Sequence, residues 1–238
     1  VRVDWPGDPQ SSNYNCFADR INLTPLDRWD WDTMMHEYGH KIMCAFDMED
    51  NPGGPHSFGD CTSIVQEEKE DGLQIAWGEA WPTYNGTQAQ QLLNLAALNV
   101  PRVGDLRYSD VEDSTLDYSI ENNSNDLSSP VSGGFGEDNE VAIQRVLWDL
   151  WDNANDSRDE WSIAHQPLFD VWRNTNITVF SSAWALLRAS GLTPNEAELA
   201  IGEILVDQGV GPETQAPADN LLISAGGTNF SWLPRVGC

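Results

Sequence analysis

Five consecutive residues, His36-Glu37-Tyr38-Gly39-His40, carry the chemistry that the rest of the chain must position. Two imidazoles four residues apart fall on one face of a helix, about one turn from each other. In that register two neutral imidazoles can ligate one Zn²⁺, while the carboxylate between them sits beside the metal's open position. The chain holds only 4 histidines. Composition alone would then produce the pattern in about 1 of 200 such chains. The bland alternative is a pair of ordinary surface or core histidines. The amphipathic helix expected around them argues against it.

A catalytic zinc needs a third protein ligand and leaves a fourth position for water. The metzincin arrangement is excluded, because Met43 and Phe46 stand where it needs Gly and His. The remaining candidates are acidic. Asp47 and Glu49 lie too near along the same helix to close a tetrahedron easily, and Glu67, Glu68 and Glu70 read as a solvated charged run. Glu79 stands alone between Trp77-Gly78 and Ala80-Trp81. A lone carboxylate among aromatic and small residues implies burial, and a buried carboxylate needs a partner. A metal would be that partner; the alternative is a hydrogen-bonded Glu at a helix start.

The elements that must position these groups follow from periodicity. Val1–Trp5 alternates and meets Pro6-Gly7, a short strand and turn, and Cys16–Leu23 holds room for a second strand. From Asp30 the spacing of Met34, Tyr38, Ile42 and Ala45 predicts a helix ending before Asn51-Pro52-Gly53-Gly54. Residues 51–63 read as a Gly/Pro loop and 64–76 as weakly helical. Pro82 is tolerable in a first turn, so the next helix is expected to begin near Gly78–Trp81, with Asn85-Gly86 a possible break. Residues 101–136 are polar loop with room for one or two short strands. Glu137–Trp151, Thr178–Ala189 before Gly191, and a capped segment from Thr193 to about Gln208 read as helices.

The sequence resembles a family at two places. His36-Glu37-Tyr38-Gly39-His40 followed by Trp77-Gly78-Glu79-Ala80-Trp81 is similar to the gluzincin metallopeptidases, the clan of thermolysin and fungalysin, over about residues 30–85. A weaker likeness to fungalysin-like enzymes runs from Glu140-Val141-Ala142 to Leu147-Trp148-Asp149-Leu150. The resemblance implies zinc held by His36, His40 and Glu79, with Glu37 as general base in peptide-bond hydrolysis by a metal-activated water. Two positions depart from the pattern. Thermolysin-like enzymes place an Asp four residues beyond the Glu ligand, where this chain has Thr83. That leaves Asp149 or Asp117 to orient a histidine, unless no such group exists. Fungalysin-like enzymes place a His before the Glu-Val helix, where this chain has Gly133-Gly134-Phe135-Gly136-Glu137. The oxyanion donor is therefore sought among His165, His56, Tyr108 and Tyr118.

Weaker signals remain. Asp110, Glu112, Asp113 and Asp117, or Asp152, Asn155, Asp156 and Asp159, could hold structural Ca²⁺, although neither set has EF-hand spacing and a solvated acidic loop explains both. Trp77 and Trp81 are candidate cleft walls, with core packing the default.

Composition bounds the rest. A 238-residue chain, 40% hydrophobic with 11 Trp, can bury a real core. Lys+Arg is 12 against Asp+Glu 38, and the net charge of -26 repels polyphosphates and anionic membranes. No apolar run reaches the roughly 20 residues of a membrane span. Four cysteines allow three disulfide connectivities, among them Cys44–Cys61 with Cys16–Cys238. Six N-x-S/T sequons, at Asn22, Asn85, Asn122, Asn155, Asn176 and Asn229, exceed the about two expected by chance. Both features fit a secreted, extracellular protein acting on protein or peptide substrates, with no nucleic-acid partner and no membrane insertion.

The expected architecture is one α+β, mainly α, catalytic domain over 1–238. A small N-terminal sheet packs on the HExxH helix within about 1–100, a helical half covers about 137–211, and 212–238 is irregular. The active site lies in a cleft between the halves. The rival reading is a catalytically weak or inactive zinc-bound binding module of a secreted or surface protein.

Overall fold

The computed structural model describes residues 1–8, 10–53, 69–99, 103–104, 106–110, 117–121, 136–153 and 161–193, and positions 202, 204, 205, 208 and 210. Three short strands open the chain: β1 (Arg2–Asp4), β2 (Asn13–Asn15) and β3 (Arg20–Asn22). β3 is central, parallel to β1 (Val3 opposite Ile21) and antiparallel to β2 (Tyr14 opposite Ile21). A 3₁₀ turn, Asp27–Trp29, leads into α1 (Trp31–Ala45). α2 spans Lys69–Leu92, and a second 3₁₀ turn covers Leu95–Leu98. An antiparallel hairpin, β4 (Arg107–Ser109) and β5 (Asp117–Ser119), precedes α3 (Glu140–Trp151), α4 (His165–Trp172) and α5 (Phe180–Ser190). The described chain is thus α+β and mainly α. No described helix is long and apolar enough to cross a membrane.

α1 starts where the sequence says it should. The Asp30 side chain caps it, accepting the Thr33 N–H at 3.1 Å. It stops at Ala45, earlier than the loop signal at Asn51, because Asp47 takes a left-handed φ of 51°. The Phe46 and Asp47 carbonyls left over there accept the backbone N–H groups of Asn174, Thr175 and Asn176.

α2 corrects the expected boundary. It begins nine residues before Gly78 and runs straight through Pro82 and Gly86. An interior proline costs about 3 kcal/mol. Burial of Trp77, Ala80, Trp81 and Tyr84, all at most 1% exposed, offsets that cost. The helix packs against α1 at its least bulky points: a Cβ on Gly39 would stand 2.5 Å from Pro82 Cα, and one on Gly86 3.1 Å from Met35 Cβ.

α3 begins at Glu140, three residues later than expected, with Asn139 as its side-chain cap. It is buried on every side, Gln144, Arg145 and Asp149 included. α4 was not expected. Pro167 falls in its first turn, where the missing N–H has no helical partner to lose. The Thr193–Gln208 helix and the 212–238 tail lie largely or wholly outside the described residues.

Met43, Met48, Trp77, Trp81, Ile143, Leu147, Trp172 and Phe180 belong to one core that joins α1, α2, α3, α4 and α5. Trp77 and Trp81 are therefore core residues and not cleft walls. Trp77 stands edge-on to Trp172 and donates to the Met48 carbonyl at 3.1 Å. Cys16, just after β2, is bonded to Cys44, near the end of α1. That excludes the Cys44–Cys61 and Cys16–Cys238 pairing; Cys61 and Cys238 lie outside the described residues.

Candidate metal centre

Close packing of α1 on α2 brings the HExxH face against Glu79 and Thr83. His36 Nε2 lies 3.1 Å from Glu79 Oε2, His40 Nε2 lies 3.1 Å from the same oxygen, and the two Nε2 atoms are 3.0 Å apart. Three atoms that can each present a lone pair to a metal once unprotonated thus meet in one near-equilateral triangle. Zinc bonds of about 2.0–2.1 Å in a tetrahedron separate ligand atoms by about 3.3 Å. The two nitrogens and one carboxylate oxygen therefore fit zinc in both chemistry and spacing. His36 and Glu79 are 7% and 8% exposed, so the charge they hold is largely shielded from water.

Thr83 fixes which His36 nitrogen faces this point. Its hydroxyl donates its single proton to the Glu79 carbonyl at 3.2 Å. Toward His36 Nδ1, 2.7 Å away, it can only accept. Nδ1 then carries the proton and Nε2 presents its lone pair to the triangle. The position where thermolysin-like enzymes use Asp thus holds a hydroxyl that orients the ring by itself. Neither Asp149 nor Asp117 does this. Asp149 is buried in α3, and Asp117 is paired with Arg107 at 2.6 Å.

Asn51 was read only as a turn former. It does form one, accepting the Gly53 N–H at 2.8 Å, but its amide also donates to Glu79 Oε1 at 3.0 Å. One Glu79 oxygen is thereby held by Asn51 while the other meets the histidines. Nothing in the local sequence separates these two roles. Glu49 approaches His40 Nδ1 only to 3.9 Å, too far for a hydrogen bond.

The charges respond to this geometry. For Glu79, burial alone would favour the acid, but His40 and His36 hold its carboxyl well below the ordinary range. For His40, burial opposes charge, but the Glu79 carboxylate outweighs it and holds the imidazolium well above its usual pKa. A metal-free centre thus stores a proton where a cation would go. Glu37 is 6% exposed. Burial raises its pKa, although His40, His36 and the Tyr14 backbone N–H pull the other way.

Of the four oxyanion candidates, Tyr108 packs on His36, with ring centroids 6.2 Å apart. Tyr118 lies behind it, its hydroxyl bound to Gln144 Oε1. His165 stacks on Phe169 and beside Tyr84, within the packing of α4 and α2. His56 lies outside the described residues. Of the expected calcium clusters, Asp117 turns to Arg107, and Glu112, Asp113, Asn155, Asp156 and Asp159 are outside the described residues. Asp110 instead approaches Asp27 and Asp30.

No protein-family profile matches the chain, and no solved structure matches it. The chain is 28% identical over 155 residues, 65% of its length, to a protein of Archaeoglobus fulgidus described as uncharacterized. The match spans 37% of that relative's length.

Proposed function

We propose that the chain is a secreted zinc-dependent peptidase of gluzincin type. The observation that carries this reading is the meeting of His36 Nε2, His40 Nε2 and Glu79 Oε2 at 3.0–3.1 Å with the buried Glu37 carboxylate in the same centre. When bound there, zinc would acidify a water and polarise a scissile carbonyl. Glu37 would take the proton of the attacking water and return it to the leaving amine. Burial raises its proton affinity, which suits a group that must both accept and give back a proton. Tyr108 is the donor favoured for the developing oxyanion. Burial, with the Tyr118 phenol and acidic neighbours, keeps its phenol protonated.

The peptide would lie in a cleft between the sheet-bearing half, with its sheet on α1, and the helical half. The net charge of -26 favours neutral or basic substrates. The Cys16–Cys44 bond and the acidic surface support a location outside the cytoplasm.

A second reading, a zinc-bound binding module without turnover, is favoured by one feature: Gly133–Glu137 holds no histidine. Hydrolysis of a mixed peptide library by the zinc-loaded chain separates the two. Glu37→Gln should keep zinc and lose about 10²–10⁴-fold in rate. A zinc-loaded wild type that cleaves nothing in the library would replace the peptidase with the binding module.

A further inference from the structure

A second group of side chains able to ligate a metal lies at the N-terminal end of α1. One carboxylate oxygen from each of Asp27, Asp30 and Asp110 comes within 4.8 Å of the other two. Asp27 and Asp30 are 2% and 4% exposed, and Asp110 is half-buried. They reach this point from three places: the 3₁₀ turn, the cap of α1, and the residue after β4.

Proximity of acids is not by itself a site, and the state of Asp27 supplies the second observation. Its Oδ2 accepts the Ser12 hydroxyl. Its Oδ1 is buried and has no hydrogen-bond partner at all. A buried carboxylate oxygen left unpaired is costly. The neighbouring Asp32 shows the contrast: its two oxygens receive the Gln90 amide, the Ser109 N–H and the Ser109 hydroxyl at 3.0–3.3 Å. What this oxygen calls for is a cation.

We propose that Asp27, Asp30 and Asp110 form a Ca²⁺ site that ties β4 to the start of the HExxH helix. All donors are carboxylate oxygens, with neither imidazole nor thiolate, which selects a hard cation over zinc. The site is built from different residues than the His36, His40 and Glu79 centre, and it stands whether or not that centre binds zinc.

The test is calcium titration calorimetry on the zinc-loaded protein after removal of loosely bound calcium, paired with thermal unfolding. Wild type should take up one Ca²⁺ saturably. Asp27→Asn and Asp110→Asn should each weaken binding at least tenfold. Asp110 is less buried, so its variant remains informative should Asp27→Asn fold poorly. Unfolding gives a second readout that a simple packing role would not move. Without calcium, Asp27→Asn should unfold at or above the wild-type temperature, because the unpaired charge is gone. With millimolar calcium it should fall below wild type. Absence of saturable calcium uptake by wild type overturns the proposal. Uptake of equal affinity in folded Asp27→Asn and Asp110→Asn also overturns it, placing the ion elsewhere on the acidic surface.

Discussion

Thr83 and Asn51 hold the two ends of the ligand set: one fixes the His36 tautomer, the other takes the spare oxygen of Glu79. Removing the hydroxyl while keeping the shape tests the first role. Thr83→Val should weaken zinc binding by about 10–100-fold, and Thr83→Ser should restore it, as read by competition with a chromophoric chelator. Charge makes a second prediction. The folded pKa of His40 lies above its ordinary 6.5, so its contribution to metal-free stability is complete below that value and fades as pH rises through the folded value. The folded pKa of Glu79 lies below its ordinary 4.5, so its contribution is present above that pH and is lost on acidification through the folded value. The metal-free protein should therefore lose unfolding temperature as pH rises from 6.5. Zinc affinity should rise over the same range, because His40 must give up its proton to bind. A zinc affinity independent of pH would contradict the assignment of His40 as the protonated partner.

At the scale of elements, the α1–α2 contact makes the centre. Gly39→Ala tests it, because two effects oppose. Alanine gains up to about 1 kcal/mol of helix propensity. Its Cβ would meet Pro82 Cα at 2.5 Å, backbone that cannot swing aside, and such overpacking costs about 1–3 kcal/mol. The expected result in denaturant unfolding is net destabilisation with weakened zinc binding; a net gain would mean the helices are not held this closely. The same contact explains what the sequence could convey. The HExxH register and the Asp30 cap are local patterns, and Glu79 was legible because a lone acid among tryptophans implies burial. The start of α2 was not legible, since Pro82 read locally as a first-turn residue and Asn85-Gly86 as a break, and only the packing of Pro82 and Gly86 on Gly39 and Met35 explains them. Thr83 and Asn51 gave no signal, because each acts across a gap of at least 28 residues. Within one acidic run, Asp110 and Asp117 are close in sequence but turn to different partners.

For the whole molecule, a net charge of -26 opposes compaction, so the covalent and packed ties near α1 matter. The Cys16–Cys44 bond spans 28 residues and ties the segment just after β2 to α1. Closing a loop of that length is worth about 3–4 kcal/mol in the chain-entropy account. Replacing both cysteines with alanine should lower unfolding stability by about that amount, measured in urea; an unchanged midpoint would mean the bond adds nothing. The sequons divide by burial. Asn85 is 6% exposed within α2 and cannot carry a glycan in the folded chain, whereas Asn176 is exposed. Among the described sequons, Asn22 is half-buried and bound to Asn13.

The most direct test of the central claim is the metal content of the purified protein by mass spectrometry, for wild type and Glu79→Ala, with zinc supplied during preparation. The account predicts one zinc per wild-type chain and loss of most of it in the variant. No zinc in the wild type, or equal zinc in both, would contradict a centre built from His36, His40 and Glu79.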